Sequence, residues 1–348
     1  MMKKNTVMIL LAAIFLPILL LSSCSKLPTY VMYTGGERGT YYNIGNSISA
    51  LLEDNEDAKG EKDESKYRAQ IQVKSSSGYK QNIDALVSGE ASFAIVRNDI
   101  AYFALNGKGC YDGKAVKGFS AVAYLYEEAV YIIAREDVTD ASMLSGSKIA
   151  VGEEGSANAI VASQILNAMN VKDYKEVYAT VNGAIQAYKN GEVDAMIIIS
   201  GIPSSSVIDL AANEKFCILP VSDDAVERIC EKYPYFAPCT VAKNNYSVLK
   251  EDLNTVSLYA TLLASDSVDE DAVYGITKRI AEDTDLMRHK KAKEMLPERM
   301  WENCCIPLHD GANSYYKYYL KEQAKHTTSA ETTLSPDETT ENEPDKTT

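Results

Sequence analysis

YTGGERGTYYNIGNSISALL, residues 33–52, leaves a β-rich run (YVMYT) and enters a helical pattern through a connection carrying Gly35, Gly36 and Gly39. In open α/β sheets, ligands sit beyond the carboxyl ends of the strands, against helix N-termini. The first-turn N–H groups of a helix are unpaired there, and its dipole favours an anion. Bare backbone lets a ligand come close, Thr40 can cap or donate, and Tyr41 and Tyr42 supply a wall with a polar tip. The spacing G-G-x-x-G is not a dinucleotide fingerprint, and the Gly-Lys-Ser of a P-loop is missing. Taken alone, a tight turn with a capped helix and core tyrosines explains the stretch as well as a binding loop does.

The neighbouring sequence repeats the idea. Short β-rich runs (QIQVKSS, SFAIV, YIIA, KIAVG, VDAMIII, FCILPV) alternate with helical patterns such as Ile160, Val161, Ile165, Leu166 and Met169. That alternation predicts an α/β protein with parallel sheets covered by helices. The stretch from Tyr30 to Lys325 holds nearly 300 of the 348 residues, more than one core comfortably holds, so two lobes are expected. After Asp269 the pattern becomes mainly helical. Ser75-Ser76-Ser77-Gly78, Gly152 to Asn158 and Ser200-Gly201-Ile202-Pro203 are further polar junctions that follow a strand. Each alone is an ordinary cap. Several in one chain are better explained by convergence on a small polar ligand.

The ends and the composition narrow the function. Lys3 and Lys4 precede an apolar run from Val7 to Leu21, followed by Leu21-Ser22-Ser23-Cys24. This reads as a secretion leader over residues 1–23, and its ending resembles a bacterial lipobox with Cys24 as the lipid attachment site. The run falls short of the ~20 residues that span a bilayer. Residues 327–348 are rich in Thr, Glu and Pro with one leucine, so they read as a disordered tail. Formal net charge is −14, with no basic stripe or zinc-finger spacing, which argues against nucleic acid as a partner. Three histidines stand in no metal-ligand pattern, and no G-x-S-x-G elbow occurs, so neither enzyme activity, metal nor cofactor is expected. Glu127 and Glu128 are adjacent, and in a strand they point to opposite faces. Six cysteines besides Cys24 are compatible with disulfides, and no spacing selects partners.

YTGGERGTYYNIGNSIS resembles the first motif of the TAXI family, the solute-binding proteins of TRAP transporters. SSSGYKQNIDALVSGEASFAIVRND, AVAYLYEEAVYIIARED, GEEGSANAIVASQIL, KNGEVDAMIIISGIP, VYGITKRI and PLHDGANSYYKYY follow in the family's order across residues 30–322. The resemblance implies a two-lobed periplasmic-binding-protein fold of type II-like form, with a central cleft and a hinge. Lobe one is expected at residues 29–125 plus 241–325 and lobe two at 126–240. The crossings are then expected near Leu125–Glu127 and Pro238–Lys243. It also implies a small organic anion or amino acid as ligand and a TRAP membrane permease as partner, while the leader and lipobox-like ending predict a protein outside the cytoplasm, tied to the membrane by lipid. The expected ligand-binding residues are Gly39, Thr40, Tyr41, Tyr42, Ser75, Ser76, Arg97, Glu127, Gly155, Ser156, Asn158 and Gly201. Arg97 stands where the family usually has glutamine. Facing the cleft, it offers a charged fork to a carboxylate; paired with Asp99, it is structural. Glu127 and Glu128 replace a customary Pro-Glu and can meet an ammonium. An acidic amino acid is therefore the leading ligand and a dicarboxylate the second. A lipid-anchored sensor or antigen on the same fold, uncoupled from transport, is the alternative function.

Overall fold

Strand β1 (Thr29–Tyr33) is followed by helix α1 (Thr40–Glu53), then β2 (Gln70–Lys74), α2 (Tyr79–Ser88), β3 (Phe93–Arg97) and α3 (Asn98–Asn106). The computed structural model describes residues 26–55, 60–63 and 65–333. The leader, Cys24 and residues 334–348 of the tail lie outside the described residues. β1 pairs in parallel with both β2 and β3, giving a first block ordered β2-β1-β3. All five residues of β3 are buried, as expected for a parallel strand covered on both faces. Ile44, Ile48, Leu51 and Leu52 recur at helical spacing on α1 and are buried, each contributing roughly 1.5–3 kcal/mol.

The second block begins with the 16-residue strand β4 (Phe119–Ala134). It continues through β5 (Lys148–Gly152), α4 (Ala157–Ala168), β6 (Lys175–Tyr178), α5 (Val181–Lys189) and β7 (Ala195–Gly201). β5 pairs in parallel with β6 and β7. Then come α6 (Ser205–Ala211), β8 (Cys217–Leu219), α7 (Asp223–Lys232), β9 (Ala237–Val241) and the long β10 (Leu253–Ser265). α8 (Glu270–Glu282) and α9 (Asp310–Thr333) close the chain.

One curled mixed sheet results, ordered β2-β1-β3-β10-β4-β7-β5-β6, with β8 on β4 and β9 on β10. The two parallel blocks meet through antiparallel β10 and β4 at its centre. There Ala260 faces Tyr126 while Thr261 faces Tyr124, which leaves Leu125 in a bulge. A bulge bends its strand and sharpens the twist. The sheet therefore changes direction where β4 passes from one block to the other.

Two findings differ from expectation. Cys239, Val241, Tyr246 and Leu253 pack with Tyr131, Ile133, Met196 and Ile198 in the second block's core. The chain therefore leaves that block within β10, where Ser257 pairs with Ala237 on one side and Ala129 on the other, rather than at Pro238–Lys243. The physical reason is that LNTVSLYATLLAS is itself a strand, long enough to serve both blocks. At the far end, α9 continues through Thr333, so Thr327–Thr333 of the stretch read as a tail are helical.

Candidate functional site

The carboxyl ends of β1, β2 and β3 in one block and of β5 in the other face a shared cavity of about 510 Å³. Thr34 and Gly35 follow β1, Ser77 to Asn82 carry the chain from β2 into α2, and Arg97 ends β3. From the opposite wall come Glu153, Ser156, Ala157 and Asn158, at the junction of β5 and α4. Two helix N-termini from opposite blocks thus point into one space. Their unpaired N–H groups and dipoles favour an anion there. A second cavity of similar size lies against α1, beside Asn46 and Arg279, and is lined by α1 residues and by Arg279, Leu286, Arg288 and His289, with none from the second block.

Glycine makes both turns possible. Gly78, the N-cap of α2, has φ +134°, a region that L side chains avoid. Gly152 has φ +112°, and a Cβ placed on it would stand 2.7 Å from the Asn158 Cβ. Asn158 reaches the cavity because that space is left free.

Arg97 is the best-anchored cation of the site. Its Nε donates to Asp99 Oδ1 at 2.7 Å and its Nη2 to Asp99 Oδ2 at 2.8 Å, while Nη1 donates to Asn158 Oδ1 at 2.7 Å. Arg97 lines the cavity and is at the same time paired with Asp99, the two placements the sequence offered as alternatives. Burial alone would lower the guanidinium's hold on its proton, and the Asp99 carboxylate reverses this and raises it. Arg97 keeps two of its five N–H groups for other partners. Its bond to Asn158 also bridges the two walls.

Behind Arg97 lies a buried polar layer. The Tyr126 hydroxyl donates to Glu128 Oε1 at 3.2 Å, and Tyr41 stands edge-on to Tyr126 with ring centroids 6.2 Å apart. Burial pushes the Glu128 carboxyl up, partly offset by Arg97, Tyr126 and Tyr41. Burial, then the neighbouring Glu128, pushes the Tyr41 phenol up as well, so it remains a hydrogen-bond donor. Tyr79 is held up to about 12, chiefly by burial.

Of the expected binding residues, Tyr41, Arg97, Ser156 and Asn158 line the cavity. Ser156 is the N-cap of α4, its Oγ accepting from Ala159 N at 3.2 Å. The others stand elsewhere. Gly39 is the exposed N-cap of α1 and Thr40 its first residue, so Thr40 is not the cap. Tyr42 is half-buried outside the cavity, and Gly155 and Ser75 are exposed. Ser76 is spent on Thr34, its Oγ donating to the carbonyl at 2.8 Å. Gly201 packs against Lys291 and Tyr126. Glu127 faces away, its carboxylate accepting from Ser257 Oγ at 2.5 Å; its neighbour Glu128 points toward the site instead.

The sequence reading missed Asn82. Its amide donates to the carbonyls of Thr34 at 2.6 Å and Ile95 at 3.0 Å, tying β1 to β3, and its Oδ1 has no partner. A polar residue on the buried, otherwise apolar face of α2 was the available signal.

The sequence pattern of the NMT1-like family matches residues 32–319, a span that contains every residue lining the cavity. The chain belongs to the NMT1-like family. This is a family of periplasmic solute-binding proteins. The fold is accordingly the type II periplasmic-binding-protein fold, with the cavity between its two lobes. Among solved structures, the periplasmic aliphatic sulphonate binding protein of Escherichia coli is 14% identical, with 89% of this chain and 95% of that one covered at a TM-score of 0.49. The ligand-binding core of GluR0 in complex with L-glutamate is 11% identical, covering 78% of this chain and 97% of that one at a TM-score of 0.43. The substrate-binding protein of an amino acid ABC transporter is 12% identical, covering 77% and 96% at 0.42. The family is one of periplasmic, extracytoplasmic binding proteins, and among the described residues of this chain no helix is long and apolar enough to cross a membrane.

Proposed function

We propose that this protein captures a small carboxylate, an acidic amino acid first and a dicarboxylate second, and delivers it to a TRAP-type importer driven by an ion gradient. The observation that carries the ligand class is the convergence of the α2 and α4 N-termini on one cavity, with Arg97 between them. Backbone N–H groups at helix starts bind carboxylates without a metal, and the two remaining Arg97 N–H groups can meet a second carboxylate. The TRAP assignment is supported by the ordered TAXI-like motifs, and lipid anchoring by Leu21-Ser22-Ser23-Cys24. Lobe closure would turn about the β4–β10 passage, where the bulge at Leu125 lies.

Calorimetry against glutamate, glutamine, succinate and 2-oxoglutarate tests the ligand class. We expect glutamate to bind most tightly. Binding only of neutral sugars or of cations would overturn the carboxylate reading. Uptake by cells should collapse with the ion gradient and survive ATP depletion, and Cys24→Ser should release the protein from the membrane fraction.

A further inference from the structure

Three charged side chains line the cavity: Lys80, Arg97 and Glu153. Arg97 is buried and already committed to Asp99 and Asn158. Lys80 and Glu153 differ from it in every respect that matters to a ligand. Both are exposed, and neither has an ion pair or side-chain hydrogen bond among the described residues. They carry opposite charge and stand on opposite walls, Lys80 in the first turn of α2 and Glu153 in the junction before α4.

From this geometry we infer that the solute's head group is a zwitterion, that of an α-amino acid, read by Lys80 through its carboxylate and by Glu153 through its ammonium. The inference rests on the carboxylate reading above and makes it narrower. A dicarboxylate would place negative charge against Glu153 with no cation of its own wall to offset it. An amine without a carboxylate would leave Lys80 and the helix N-termini unanswered. An α-amino acid satisfies both walls at once and leaves the two spare Arg97 N–H groups for an acidic side chain. Because the walls belong to different lobes, the same head group would also draw them together.

Calorimetry on the full mature protein tests it with three probes: L-glutamate, 2-oxoglutarate, which lacks the ammonium, and 4-aminobutyrate, which lacks the α-carboxylate. The wild type should prefer glutamate to both by about tenfold or more. Glu153→Gln should weaken glutamate roughly tenfold and leave 2-oxoglutarate unchanged or tighter. Lys80→Met should weaken glutamate and 2-oxoglutarate but spare 4-aminobutyrate. Both positions are exposed, so thermal melting of the variants should match the wild type. If glutamate and 2-oxoglutarate bind alike, or if both variants hold glutamate within about twofold of wild type, the zwitterion inference is overturned while the carboxylate reading stands. If none of the three probes binds the wild type but succinate does, the zwitterion inference fails alone; if succinate fails as well, both fail.

Discussion

Arg97→Gln is expected to destabilise the protein by roughly 3–5 kcal/mol, before any effect on ligand is considered. Asp99 is fully buried, and its carboxylate is matched by the Arg97 fork through two bonds of 2.7 and 2.8 Å. Removing the guanidinium leaves that carboxylate buried without its cation, the circumstance in which breaking an ion pair costs most. For a chain of this length the thermal midpoint should fall by something on the order of 10 °C. The double variant Arg97→Gln, Asp99→Asn should recover most of the loss, because two neutral amides can bond where the charges did. The sign of the pH dependence follows from Glu128. Arg97 partly offsets the burial that raises this carboxyl, so without Arg97 it rises further. A raised folded-state value contributes stability below the unfolded value that is lost as pH rises, so the deficit of the variant should shrink on acidification. Urea unfolding at acidic and neutral pH reads both effects. A single variant within about 1 kcal/mol of wild type, or a double variant no better than the single, would show that the pair does not hold this wall together.

That expectation could not have been reached from the sequence. Arg97 stood out as an arginine in place of glutamine, but which way its side chain turned depended on Asp99, two residues on, across the change from β3 to α3. Local alternation was readable, and it gave the α/β class, the polar strand-to-helix junctions and the opposite facing of Glu127 and Glu128. It did not give which of the two faced the site. That choice depends on where the strand's parity is reset, and the Leu125 bulge two residues earlier is a tertiary feature of the β4–β10 ladder. The return crossing is a related case: LNTVSLYATLLAS forms one strand that serves both blocks, and the segment from Val241 to Leu253 packs in the second block's core, a placement that the local pattern does not reveal. Ser76, by contrast, sat at the right junction but was consumed by a backbone carbonyl, a contact that spacing along the chain does not reveal.

The second large effect is expected at Asn98, a residue with no access to solvent. Its Nδ2 donates to the carbonyls of Tyr235 at 2.9 Å and Asn303 at 3.0 Å, and its Oδ1 accepts from the backbone N–H of Tyr259 and of Asp99, each at 3.0 Å. One amide therefore ties the end of β3 to the segment before β9, to β10, and to the stretch before α9. These belong to both sides of the β4–β10 passage. Asn98→Ala removes a partner from four backbone groups and supplies none; each buried group left unpaired costs roughly 1–3 kcal/mol, so a total loss of at least about 4 kcal/mol is expected. Asn98→Asp should be at least as damaging at neutral pH, because it sets a carboxylate oxygen against two carbonyls, and it should recover partly in acid, when that oxygen can donate. Hydrogen exchange at the Tyr259 amide separates this account from a general loss of packing. That amide should lose its protection in Asn98→Ala but keep it in Asn98→Asp, where an acceptor remains. Equal protection in both variants would mean that β10 is held by its ladder alone. Lost protection with full stability would mean that the four bonds fix the relative position of the lobes without contributing to the strength of the fold.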